Sequence, residues 1–306
     1  MIKRGLPVLK ALVPLVLAWF IGRMIYGNWQ QVRSEPWRLD LPWLAVSFAL
    51  GAAWHLVRPL GWTRLLRGFD HVVPYWEIYR IYRKSELSRY VPGGVWQFAA
   101  RIYLTRGHGV SAAACLAATI LDMTLAALAA MVVVAWHGGV ASSSLAEWQR
   151  YALFAFPLLA CAVVYPPVFN AWAVRLARLL KQPFRPLEIR TARMLGIWAL
   201  YVVMWALLAF AMASFARALL PGLDTERFAY IAGSYALAWV TALITMVAPA
   251  GMGVREGILG LLLSQAIAAG TAMTLAVAMR LWVVTMELVW LGIGLLMPRT
   301  VQPNQA

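Results

Sequence analysis

Of 306 residues, 62% are hydrophobic and 13% are charged, about half the charged share of a soluble domain. That composition excludes a water-soluble globular protein and points to repeated membrane-crossing helices, each needing roughly 20 apolar residues. The net charge of +15, from 27 Lys and Arg against 12 Asp and Glu, then reads as basic loops on one membrane face and attraction to anionic lipid, with no nucleic-acid partner.

The expected fold is an all-α polytopic membrane protein of about eight transmembrane helices. The first apolar window, 8–26, follows Lys3 and Arg4 and lacks a small-x-small cleavage site, so it reads as a retained span and not a cleaved signal. The others fall at 43–62, 110–136, 151–172, 194–217, 228–248, 255–270 and 272–297. The window 110–136 is rich in alanine, which lets helix backbones approach closely, so it is expected at the centre of the bundle. Pro157, Pro166 and Pro167 should kink or end the window 151–172. The seventh window, 255–270, is short, and whether it spans fully or is re-entrant stays open. Cys115 and Cys161 lie inside windows and are too few for a disulfide framework or a zinc site. Residues 300–306 form a polar tail.

Orientation follows from counting Lys and Arg. With the N-terminus inside and every window crossing, the inside segments carry 19 and the outside segments five. The positive-inside rule therefore places both termini in the cytoplasm. The basic segment 63–109 is expected on that face. Within it, residues 75–90 put Tyr75, Ile78, Tyr79 and Tyr82 on one helical face, with Glu77, Arg80, Arg83 and Lys84 on the remainder. That pattern predicts an interfacial helix lying on the membrane, its basic residues near phosphates.

Two glycine-rich polar stretches interrupt the apolar chain, Leu87–Arg101 and Ala248–Gly257. The first contains Pro92, Gly93 and Gly94, and the second Pro249, Gly251 and Gly253. Proline removes a donor and glycine admits conformations that helices exclude, so both stretches should break their helices. Broken backbone at membrane depth is tolerated only where it is buried in protein or lines a wet cavity, and paired interruptions point to a transport site. Short helices starting after Gly94 or Gly253 would present free N–H groups, and Arg89, Arg101 and Arg255 add full charges. The expected ligand is a phosphate or other anionic headgroup. The competing reading is two tight cytoplasmic turns with incidental arginines.

On these residues the chain resembles the lysylphosphatidylglycerol synthase transmembrane family, also called the flippase-like domain family, over roughly residues 8–297. Its first pattern matches Arg89, Tyr90, Pro92, Gly93, Gly94 and Arg101, with Asp122 in the following span; its second matches Pro249, Gly251, Gly253 and Glu256. Val95 and Trp96 stand where many members carry a further glycine. The resemblance implies lipid translocation or support of lipid modification at the cytoplasmic membrane. Larger members carry a soluble aminoacyl-transfer domain after the membrane part; this chain stops at Ala306, so transfer of lysine to lipid is not expected.

Four further charges lie at membrane depth or beside it: Asp122, Glu256, Arg280 and Glu287. Each should face the bundle interior and have a partner, because a mid-bilayer charge costs roughly 2.5–3.5 kcal/mol on insertion scales. Arg280 and Glu287, seven apart, share a helix face. The functional reading makes this set couple a headgroup or a proton to movement; the plain one is static ion pairs, such as Asp122 with Arg101 or Arg280. His55 and Arg58 read more readily as an interface pair than as phosphate ligands. No catalytic residue, metal site or cofactor is expected, since there is no Walker loop, nucleophile elbow or His-Glu-x-x-His pattern. The leading expectation is a translocase for an anionic phospholipid or a polyprenyl-phosphate lipid. The alternatives are a non-catalytic membrane partner of a glycosyltransferase or lipid-modifying enzyme, and an enzyme acting on a prenyl-phosphate sugar.

Overall fold

The computed structural model describes residues 23, 26–27, 29–34, 37–91, 95–140, 164–179, 185–245, 251 and 253–296. Most of the first expected span, most of the fourth, Cys161, the polar tail, and Pro92, Gly93, Gly94 and Pro249 lie outside these. Among the described residues every regular element is a helix. In chain order they are α1 (Trp29–Ser34), α2 (Leu41–Gly68), α3 (Tyr75–Leu87), α4 (Trp96–Thr105), α5 (Ala112–Val140), α6 (Pro166–Leu179), α7 (Thr191–Leu219), α8 (Thr225–Thr245), α9 (Val254–Leu263) and α10 (Ala269–Leu296).

The helices α2, α5, α7 and α10 are each long and apolar enough to cross a bilayer. The protein is an all-α membrane protein. Helix α2 starts where Asp40 accepts the Trp43 N–H at 3.2 Å, a side-chain cap for an otherwise unpaired donor. It runs antiparallel to α7: the Asp40 N–H donates to Ala218 O at 2.8 Å, and Ser47 Oγ donates to Ala211 O at 2.8 Å. Two glycines make the approach of neighbouring helices to α2 possible. A Cβ at Gly61 would lie 2.6 Å from the Tyr201 ring of α7, and one at Gly51 would lie 2.4 Å from Trp282 of α10. This is small-residue packing, the means by which helices associate where lipid supplies no hydrophobic drive. Helix α5 is the most enclosed of the four, with 78% of its apolar window buried, which bears out its expected central place.

Three shorter helices, α3, α4 and α9, are built differently. Helix α3 packs on α4, and both insert among α2, α5 and α10. Tyr75 hydroxyl donates to Leu56 O, Arg83 Nη2 donates to His55 O at 3.0 Å, and Tyr79 hydroxyl donates to Trp290 O at 3.2 Å. The expected interfacial helix is therefore corrected. In α3, Glu77, Arg80, Arg83 and Glu86 are buried together with Ile78, Tyr79 and Tyr82, so its basic residues meet carboxylates and carbonyls within the protein. Its amphipathic pattern fits a polar protein interior as well as a bilayer surface.

Helix α9 settles the form of the seventh window. Ten residues make about 15 Å of helix, half of the roughly 30 Å hydrocarbon core. It returns alongside α8, with the Tyr230 hydroxyl donating to Leu262 O at 2.7 Å and the Arg255 guanidinium over the Tyr235 ring. Helix α10 then packs back on α9, where Gly260 admits Met273. Each broken stretch of the sequence thus leads into a short helix that carries a buried arginine, Arg101 on α4 and Arg255 on α9.

Candidate functional site

The short helices bring buried charge to the middle of the bundle. Call the end of α2 at Gly68 the near side and its start at Leu41 the far side. Arg58, Asp122 and Tyr201 each lie ten residues from the near-side ends of α2, α5 and α7, a depth of about 15 Å. Glu287 lies nine residues from the near-side end of α10, and Arg280 eleven residues from its far-side end.

Asp122 anchors the near-side layer. Its Oδ2 accepts Arg101 Nη1 at 3.1 Å and Tyr82 hydroxyl at 3.0 Å, and its Oδ1 accepts Tyr201 hydroxyl. Arg101 is wholly buried. Its guanidinium carbon lies 4.0 Å from the Tyr82 ring centre and 5.0 Å from that of Trp62, a desolvated setting in which cation–π attraction is worth about 2 kcal/mol. Of the partners anticipated for Asp122, Arg101 is the one present. One nitrogen of Arg101, Nη2, has no hydrogen-bond partner.

Glu86 gathers three arginines. Its Oε1 accepts Arg58 Nε at 3.3 Å, its Oε2 accepts Arg83 Nη1 at 2.8 Å, and Arg89 Nη1 lies 4.0 Å away. Helix α3, at 13 residues, does not span. Burial pushes the Glu86 carboxyl up, but Arg83, Arg58, Arg89 and Arg101 outweigh it and bring the group down to about 2. Glu86 is therefore an anion at any physiological pH. His55 is buried beside this group and its ring stacks on Trp290, so His55 and Arg58 meet protein groups.

Two residues of α10, Glu287 and Arg280, extend this network. Glu287 accepts Arg89 Nη2 at Oε1 and the Tyr90 hydroxyl at Oε2, the latter at 2.8 Å. Arg280 also meets the Tyr90 ring, its guanidinium carbon 5.4 Å from the ring centre. Arg280 Nε then lies 3.5 Å from Glu256 Oε1, and Arg255 Nε lies 3.7 Å from the same oxygen. Arg280 and Glu287 do share a face, but each takes a partner from a different short helix or turn.

Glu256 has a second task. Its Oε2 accepts the Gly253 N–H at 2.6 Å, closing the first turn of α9 from the third helical position. Gly253 has φ +81° and Gly251 φ +67°, the left-handed region in which only glycine is unstrained. The glycines of the second motif thus fix where α9 begins and where Arg255 and Glu256 point.

Summed over the described residues, this network holds Arg58, Arg83, Arg89, Arg101, Arg255 and Arg280 against Glu86, Asp122, Glu256 and Glu287. Two positive charges are left over. Arg80 and Glu77 pair with each other at 3.0 Å and do not change the balance. Among the described residues no group of His, Cys, Asp and Glu is placed to hold a metal ion. Sequence reasoning missed Glu86, Tyr82 and Tyr201 as members. Glu86 had a signal, being a carboxylate three residues from Arg83 and Arg89. A tyrosine inside an apolar span, such as Tyr201, carries none.

No curated protein matches the chain. The family model described as the transmembrane region of lysylphosphatidylglycerol synthase matches residues 8–289, nearly the whole chain. With its apolar helices, its two interrupted stretches and a buried charge network built on them, the chain belongs to the lysylphosphatidylglycerol synthase transmembrane family, whose membrane domains are associated with lipid handling.

Proposed function

We propose that the protein translocates an anionic phospholipid or a polyprenyl-phosphate lipid across the cytoplasmic membrane. The observation that carries this reading is that six guanidinium groups share four buried carboxylates in this network, so that Glu86 and Glu256 each face more than one arginine. Arg58 and Arg89 are partly exposed and the other four are buried; incompletely neutralised charge in a largely buried network is costly, which gives the network reason to receive an anion. Lipid tails can stay in the bilayer while the headgroup passes through the bundle, and α3 with α4 moving against α9 would expose the network to alternate sides. Arg89, Arg101 and Arg255, with the motif backbone at Pro92–Gly94 and Pro249–Gly253, would attract and seat the headgroup. Asp122, Glu256, Arg280 and Glu287 would balance charge as it moves.

The near side is the cytoplasmic side in this reading, with both termini there. Five of the 19 Lys and Arg counted as inside (Arg80, Arg83, Arg89, Arg101 and Arg255) belong to the bundle interior. Removing them leaves 14 against five, still a strong bias.

The test is reconstitution of the purified protein in vesicles with fluorescent phosphatidylglycerol, and separately with a fluorescent polyprenyl phosphate. Loss of signal to an outside quencher should exceed that of empty vesicles and should fail in the Arg101→Gln, Arg255→Gln double variant. Equal rates with and without protein for both lipids would remove this reading. A second reading has its own support: Arg175, Arg178, Arg190 and Arg193 are exposed on the near side, a basic surface suited to an acidic partner such as a glycosyltransferase or lipid-modifying enzyme. Charge reversal there should then release that enzyme from the membrane while leaving the buried network intact.

A further inference from the structure

We infer that Arg255 and Arg280 form a subsite for one lipid phosphate, and that Glu256 is the internal counter-ion which that phosphate displaces. The inference rests on the proposal that an anionic lipid enters the bundle.

Both arginine Nε atoms face a single carboxylate oxygen, at 3.5 Å from Arg280 and 3.7 Å from Arg255. Neither contact is a formed hydrogen bond: Glu256 Oε1, Arg280 Nε and Arg280 Nη2 all lack a hydrogen-bond partner. Arg280 is 3% exposed, Arg255 7% and Glu256 2%, so the site is shut off from bulk solvent. Buried polar groups are nearly always satisfied, and one left open calls for a ligand or a role. Here two donors and one acceptor are open at one point.

The charge count at this point agrees. Two guanidinium groups against one carboxylate leave one positive charge, which one phosphate monoanion neutralises. The guanidinium fork matches phosphate oxygens in geometry as well as in sign. The surroundings hold the pair in place, with the Tyr90 ring 5.4 Å from the Arg280 carbon and the Tyr235 ring 5.7 Å from the Arg255 carbon.

Glu256 can yield without leaving. Its firm bond is through Oε2 to the Gly253 N–H, and that bond keeps the start of α9 closed whether or not Oε1 faces an arginine. An incoming phosphate therefore breaks no formed hydrogen bond. A counter-ion fixed beside the subsite also limits how tightly a phosphate is held, and a transported group must leave as well as enter.

The experiment measures equilibrium binding to the purified full chain in a non-ionic detergent. The probes are short-chain phosphatidylglycerol, the matching diacylglycerol without phosphate, and inorganic phosphate. The variants are Glu256→Gln, Arg280→Gln and Arg280→Lys, each checked for an intact thermal transition. Phosphatidylglycerol should bind well above diacylglycerol. Glu256→Gln should tighten it and Arg280→Gln should weaken it, each by roughly tenfold, the size of one charge-assisted contact. Arg280→Lys, which keeps the charge and loses the fork, should fall between. Inorganic phosphate should compete only weakly, since it lacks the tails; competition as strong as that of the lipid would overturn the lipid source. Glu256→Gln and Arg280→Gln shifting affinity in the same direction would overturn the subsite. Translocation without any effect of these variants on binding would sink the subsite alone. Binding as expected without movement in vesicles would sink the translocation reading alone.

Discussion

Arg89 and Glu287 are joined by a hydrogen-bonded ion pair across 198 positions of the chain. One sits in the turn after α3, the other on α10, and the same carboxylate also accepts the Tyr90 hydroxyl. This contact ties the first interrupted stretch to the helix that carries Arg280, the partner of the second.

Breaking that tie should be costly from either end. Glu287→Gln leaves the Arg89 charge without its main partner, which in buried pairs costs about 3–5 kcal/mol. Arg89 is partly exposed, so the lower end of that range is expected. Arg89→Gln combined with Glu287→Gln should cost less than the two losses added, with a coupling of about 1–3 kcal/mol. Thermal melting of the four proteins in one detergent gives the cycle, and simple additivity would show that the pair carries no coupling.

Asp122 should rank above its tyrosine partners. It neutralises the wholly buried Arg101 and accepts three donors. Asp122→Asn removes the charge and should destabilise by about 3–5 kcal/mol. Tyr201→Phe removes one hydrogen bond to that carboxylate and should cost about 1.5–3 kcal/mol. Equal losses in the two variants would mean that charge at Asp122 is not what matters.

The sequence made the spanning helices plain because apolar length is a local property: α2, α5, α7 and α10 each coincide with a window. The interrupted stretches were visible through Pro and Gly, and their short helices follow from that. The place of α3 is not legible in the sequence, because one amphipathic stripe serves equally for a lipid surface and for a polar interior. Which charges pair was not legible either. Arg280 goes to Glu256 and not to Glu287, seven residues along its own face, and that choice depends on how α9 and the turn after α3 dock on α10.

The close approach at Gly61 yields a packing prediction. Gly61→Ala would drive its methyl into the Tyr201 ring, 2.6 Å away, and that ring is held by its bond to Asp122. Overpacking of this kind costs about 1–3 kcal/mol. Gly196→Ala is the control, since nothing lies within 4 Å of its added carbon; in the interior of α7 it should gain about 0.5–1 kcal/mol from helix propensity. Melting temperatures that move the same way in both variants would contradict this account of the α2–α7 contact.

Glu86 predicts a pH dependence with a definite sign. Its carboxyl lies near 2 in the folded protein against an ordinary 4.5, because burial is outweighed by Arg83, Arg58, Arg89 and Arg101. A depressed carboxylate contributes stability that is fully present above its unfolded value and is lost as pH falls toward the folded one. The stability gap between the wild type and Glu86→Gln should therefore be flat between about pH 8 and about pH 5, then shrink as acid is added. The gap on the plateau should be about 3–5 kcal/mol, since the substitution strands three arginines around a neutral amide. Melting both proteins across that pH series checks it. A gap that already closes between neutral pH and about pH 6 would mean that Glu86 is not held as an anion by its arginines.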